Sequence, residues 1–174
     1  MLSVSRPKHS MIKLYKRLED GALAYHEAWV DGEHVVEHWG RVGTEGERRD
    51  RPLASSDADE ALESVLEVAR ARGFEEIDSD DHRRLIVEYL VDGMGGSGDL
   101  DKRHRLEEKL NELLGWTGLG DCDGGSIGSD TMEVCCFVVD FPIAKAVVAR
   151  ALAGSEYGDY KRIYNEDEDV AGAG

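Results

Sequence analysis

The sequence predicts an α+β protein built from two small units. Three observations lead there. Between residues 11 and 53, short runs alternate apolar and polar side chains and are broken by glycine turns, the period of half-buried strands. Three later segments, near 58–69, 100–114 and 143–152, read as helices from the spacing of their apolar residues. An acidic stretch, Glu75–His82, then separates this first set of elements from a second that starts near Arg84.

In chain order, residues 11–18 (MIKLYKRL) read as a first strand and Glu19-Asp20-Gly21 as a turn. Ala22–Val30 is a second strand, closed by the hairpin signal Asp31-Gly32. His34–Val42 is a third and Glu47–Leu53 a fourth, joined through Gly43 and Gly46. Ser55, Ser56 and Asp57 offer helix caps. Ala58, Ala61, Leu62, Val65, Leu66, Val68 and Ala69 then follow at helical spacing, and Gly73 is placed to stop the helix. The spacing next predicts a strand over 84–91, a glycine-rich loop over 92–98 and a helix over 100–114. A short strand over 116–123, a glycine-rich loop over 124–130 and a strand over 132–140 follow. Pro142 opens a helix over 143–152, and 159–164 is a last strand. The second set thus runs β-α-β-β-α-β, the order of a ferredoxin-like split βαβ domain. The organisation expected is a sheet-plus-helix domain over 1–77, an acidic linker over 78–83, the ferredoxin-like domain over 84–165, and an acidic disordered tail over 166–174.

Composition limits function. The chain of 174 residues holds 21 Lys plus Arg against 37 Asp plus Glu, a net charge of −16. Phosphate neutralisation needs cations, so this balance argues against a general nucleic-acid binder. No apolar run approaches the roughly 18 residues that span a bilayer, and the first ten residues show no secretory-signal pattern; a soluble cytoplasmic protein is expected. Three cysteines, Cys122, Cys135 and Cys136, are too few and too adjacent for a disulfide framework. The deficit of cations is uneven. Residues 1–54 hold nine basic and nine acidic side chains, whereas 55–83 net −7 and 84–174 net −9.

That neutral first third carries the one specific motif. Trp39-Gly40-Arg41 ends the third strand, with Gly43 and Gly46 in the turn and Arg48, Arg49 and Arg51 beyond it. Tyr25-His26-Glu27 stands on the strand before, and the helix after it ends Arg70-Ala71-Arg72-Gly73-Phe74. Over roughly residues 11–77 this resembles a WGR domain. Such domains occur in poly(ADP-ribose) polymerases that respond to DNA breaks and in bacterial proteins. The resemblance implies an antiparallel sheet plus helix that engages DNA ends or nicks. In that picture Trp39 stacks on a terminal base or sugar and Arg41 meets phosphate or a neighbouring domain, as an indole and a guanidinium are suited to do. The candidate binding residues are therefore Trp39, Gly40, Arg41, Arg48, Arg49 and Arg51. The chain departs from the family pattern at His26, where a second aromatic is usual, at Glu47, and in the acidic helix face Asp57, Asp59, Glu60, Glu63 and Glu67. The alternative use of this surface is to hold a basic protein partner.

Two further constellations define a third reading, a metal- or nucleotide-dependent enzyme. Gly93, Gly95 and Gly98 satisfy G-x-G-x-x-G between a strand and a helix, but Asp92, Asp99 and Asp101 crowd the loop with negative charge. Asp92, Asp121, Asp123 and Asp130 could supply the oxygen ligands of a Mg²⁺ or Ca²⁺ site; the plain alternative is a solvated acidic hairpin tip. No nucleophile–base–acid arrangement stands out, and no catalytic residue is assigned.

Overall fold

In a computed structural model that describes residues 11–55 and 57–171, the chain is α+β, with two antiparallel four-stranded sheets and, among the described residues, four α-helices. It divides into two compact units between Ile77 and Asp78.

The first unit holds β1 (Ile12–Arg17), β2 (Leu23–Asp31), β3 (His34–Arg41) and β4 (Glu47–Pro52), in that spatial order, followed by α1 (Ala58–Ala71). Asp57 caps α1, its carboxylate accepting from the Asp59 and Glu60 amides. Alternation sends Leu14, Ala28 and Val35 to one sheet face, where they meet Ala61, Leu62, Leu66 and Ala69 of α1. After the helix the chain returns along β1, where Tyr15 and Glu75 exchange backbone hydrogen bonds of 2.7 and 2.9 Å. β4 is exposed at all six of its residues.

The second unit opens with a 3₁₀ turn over Ser79–Asp81. It continues through β5 (Arg83–Leu90), α2 (Ser97–Trp116), β6 (Gly120–Gly128), β7 (Thr131–Val138), α3 (Phe141–Leu152), β8 (Arg162–Asn165) and α4 (Glu166–Ala171). The strand order is β6-β7-β5-β8. α2 packs on β6 and β7, and α3 on β5 and β8. The core joins Leu85, Val87 and Tyr89 of β5, Met132, Val134 and Val138 of β7, Leu106, Leu110 and Leu114 of α2, and Val148 and Leu152 of α3.

Several expectations need correction here. The helix expected from Leu100 begins at Ser97, because Asp99 Oδ2 accepts the Gly96 amide at 2.8 Å and satisfies a donor the glycines leave open. Trp116 ends that helix instead of opening a strand. The expected glycine loop 124–130 is largely strand. β6 runs to Gly128 against β7 and absorbs an irregularity between Cys122 and Gly125, and only Ser129 and Asp130 turn, at φ of 54° and 66°. Residues 166–171 of the expected disordered tail form α4, held by Arg84, whose Nη1 lies 2.7 Å from Glu166 Oε2 and whose amide donates to Asp167. The rest of that tail, and the segment scanned for a secretory signal, lie outside the described residues. No described helix is long and apolar enough to cross a membrane.

Candidate functional site

α1 covers only part of the sheet face it packs on. Where cover ends, a cleft of about 870 Å³ opens. Its floor is set by strand register. His26 of β2 stands opposite Trp39 of β3, and Glu37 of β3 opposite Arg49 of β4; positions two apart share a face, so Arg41 and Arg51 join them. Ser64, Val65, Val68 and Ala69 of α1 form a wall, and Arg72 and Phe74 close it after the helix end.

The charges in the cleft are arranged, not merely gathered. Glu37 is 5 % exposed, and its Oε2 takes Arg49 Nε at 3.1 Å and Arg49 Nη2 at 3.0 Å, with Arg51 Nε at 2.9 Å. Arg41 leans the other way, its Nη2 2.8 Å from Asp20 Oδ2 in the β1–β2 turn; that hydrogen bond holds the Asp20 carboxyl below its ordinary value. The indole of Trp39 stands between the His26 ring, at 6.1 Å and 17°, and the Arg49 guanidinium, at 5.2 Å. Burial holds His26 below its ordinary 6.5; Arg72 and Arg49 push the same way, against Glu37 and Glu27. What this arrangement can do chemically is bind: it offers a flat ring and several guanidiniums to a ligand with an aromatic part and an anionic part.

Behind Trp39, on the opposite sheet face, a polar network anchors the turn that follows it. His38 is 1 % exposed and bonds Glu27 through Nδ1. Its Nε2 faces the Tyr25 hydroxyl at 3.1 Å and the Glu45 carbonyl, and Tyr25 donates to the Thr44 carbonyl at 3.1 Å. Gly40 and Gly46 let this turn lie flat on the strand. A Cβ on Gly46, at φ +67°, would stand 2.2 Å from the Trp39 carbonyl oxygen, and one on Gly40 would stand 2.7 Å from the Gly46 Cα. Gly40 therefore serves backbone packing beside the cleft.

Of the sequence candidates, Trp39, Gly40, Arg41, Arg49 and Arg51 line the cleft, and Arg48 does not. One residue out of phase on β4, Arg48 pairs with Asp50 at 2.8 Å and lies over the Trp29 ring. The four acids are not gathered into one site. Asp130 sits at the β6–β7 turn, accepting the Gly93 amide next to Asp92, whereas Asp121 and Asp123 lie toward the other end of β6, Asp121 opposite Phe137. Among the described residues no group of three or more His, Cys, Asp or Glu is disposed to hold a metal ion. The glycine loop leads into the start of α2, but the Asp99 carboxylate occupies that helix end, where a phosphate would go. Cys122 and Cys136 are free, buried and directly opposed across β6 and β7, with sulfurs 2.9 Å apart.

Among the cleft residues that sequence reasoning did not select are His26, Glu37, Arg72 and Phe74. The parity of Glu37, Trp39 and Arg41 on one strand would have found the first two through their cross-strand partners. The last two depend on how α1 lies on the sheet. Comparison with protein-family models, curated proteins and solved structures finds no match for this chain.

Proposed function

We propose that the first unit is a WGR-like binding module whose cleft engages the end or nick of a nucleic-acid chain, with Trp39 against the terminal base or sugar and the arginines against phosphate. The support is one observation: in a chain of net charge −16, Arg41, Arg49, Arg51 and Arg72 line the same cleft as Trp39. Four guanidiniums against Glu37 and Glu47 leave a local balance of 4 − 2 = +2 among the lining residues. The role is binding, not turnover. The second unit is read as ferredoxin-like, since its strand order and its two strand–helix–strand connections are those of a split βαβ domain.

The test is fluorescence anisotropy with nicked, blunt and single-stranded DNA at low and physiological salt, for the wild type, Arg41→Ala and Trp39→Ala. Binding to ends or nicks that weakens steeply with salt and is lost in both variants supports the reading. No binding at low salt sinks it. A second reading, a basic protein partner, is favoured by the exposed acids Asp59, Glu60, Glu63 and Glu67 along α1. It would show as nuclease-resistant co-purification of a basic protein that is lost when those four acids are neutralised.

A further inference from the structure

Both flanks of the Trp39 indole are taken by side chains from neighbouring strands. A planar ligand that stacks there has to take the place of one of them. His26 is 13 % exposed and wedged between Trp39 and Phe74, the second ring edge-on at 5.9 Å. Arg49 is 51 % exposed and reaches the indole from the sheet margin. Arg49 is the neighbour that can leave.

Its departure is feasible because of how Glu37 is shared. Arg49 and Arg51 converge on the same oxygen, Oε2. When Arg49 swings away, Arg51 stays, and the buried carboxylate keeps a cationic partner. An uncompensated buried charge, the usual penalty for breaking such a pair, does not arise. The departing guanidinium still needs an acceptor, because its hydrogen bonds to Glu37 are lost at the same moment.

We propose that Arg49 is an exchangeable gate on Trp39. A ligand that joins a planar ring to an anionic group displaces it, the ring taking its place on the indole and the anion taking its guanidinium. A ring without an anion offers Arg49 only water in exchange for Glu37, and an anion without a ring has no reason to enter the stack. This rests on the cleft reading above and adds a selection rule to it: the site takes nucleoside phosphates in preference to either half.

The experiment uses the full chain labelled with 5-fluorotryptophan. Its three tryptophan resonances are assigned through Trp39→Phe and Trp116→Phe, and ¹⁹F NMR follows titration with adenosine, inorganic phosphate and AMP. In the wild type, AMP moves the Trp39 resonance at concentrations where adenosine and phosphate do not. Arg49→Ala strengthens adenosine binding about two- to fivefold, the worth of an exposed cation–π contact that no longer has to be broken. It also weakens AMP by about threefold or more, for want of a charge-assisted phosphate contact. Arg49→Lys, which keeps the charge without the flat guanidinium, also strengthens adenosine but holds AMP near the wild-type level. If AMP binds and Arg49→Ala leaves adenosine unchanged or weakens both probes, Arg49 is a plain phosphate contact and the gate is wrong. If no probe moves Trp39 in any of the proteins, the ring-and-phosphate reading of the cleft fails first and the gate falls with it.

Discussion

His38 Nδ1 lies 2.6 Å from Glu27 Oε1, a register pair joining β2 to β3 on the sheet face turned away from Trp39. Glu27 is fully buried, and its other oxygen lies 3.2 Å from Lys13 Nζ. Because His38 also reaches the Glu45 carbonyl and Tyr25 donates to the Thr44 carbonyl, the turn that follows Arg41 is tied to the interior at two points. His38→Leu is expected to destabilise the first unit by about 1–3 kcal/mol, the range for leaving buried hydrogen-bonding partners unsatisfied, since Glu27 keeps Lys13. Hydrogen exchange resolved by segment checks this. Protection is expected to fall in the first unit, first at residues 42–46, and to hold in the second.

Gly46→Ala should act on the same turn by a different route. The new methyl meets the Trp39 carbonyl oxygen and, at 2.4 Å, the Tyr25 hydroxyl, and the residue is held at positive φ. The expected loss is about 2–4 kcal/mol, from strain and overpacking combined. Gly21→Ala serves as the control: it has positive φ but open space around the Cβ, so its cost should be about 1 kcal/mol. Urea denaturation of the two variants side by side distinguishes a packing role for Gly46 from a purely conformational one.

His26 gives the first unit a pH signature. Its folded value lies below the ordinary 6.5, so as pH falls the unfolded chain takes up the proton first. Stability is complete above about pH 6.5 and declines below it until the folded value is passed. His26→Phe keeps a flat ring beside Trp39 and removes the titration. Thermal melts from pH 8 to pH 5 should therefore decline less steeply for the variant than for the wild type. Parallel slopes would show that another group is responsible.

Cys135 and Cys136 should be slow to react. Burial pushes Cys135 up to about 11, and Cys136 is raised further by its hydrogen bond to Cys122 together with burial. Nucleophilicity belongs to the thiolate, which is scarce at neutral pH under these conditions. Labelling with a thiol-specific disulfide reagent at pH 7.5 is expected to proceed at the rate of local opening and to become fast only in denaturant. Cys135, half-buried on the opposite strand face from Cys136, should modify first.

The first sheet was legible because β1 alternates apolar and basic residues and each turn carries a glycine where the chain reverses. β6 was less legible. Gly124, Gly125 and Gly128 read as a loop, and only the ladder to β7 keeps them extended. The start of α2 was hidden for a similar reason, since a cap supplied by Asp99 lies inside the helix it caps. In the cleft, Trp39 and Arg41 declared themselves by motif. Separating Arg48 from Arg49 and Arg51 needed only the two-residue period of β4. Arg72 and Phe74 could not be placed without knowing where α1 crosses the sheet, which depends on packing between segments far apart in sequence.

β4 is an edge strand of its sheet and is exposed throughout, a position that invites other chains to add strands and aggregate. Here the invitation is refused by its own letters: Glu47, Arg48, Arg49, Asp50 and Arg51 are charged without interruption, and Pro52 has no amide to offer. The arginines that furnish the cleft thus also guard the solubility of the sheet. A double variant that replaces Arg49 and Arg51 with apolar residues would lose binding and colloidal stability together, whereas glutamine at both positions would remove the cations and still leave the margin polar.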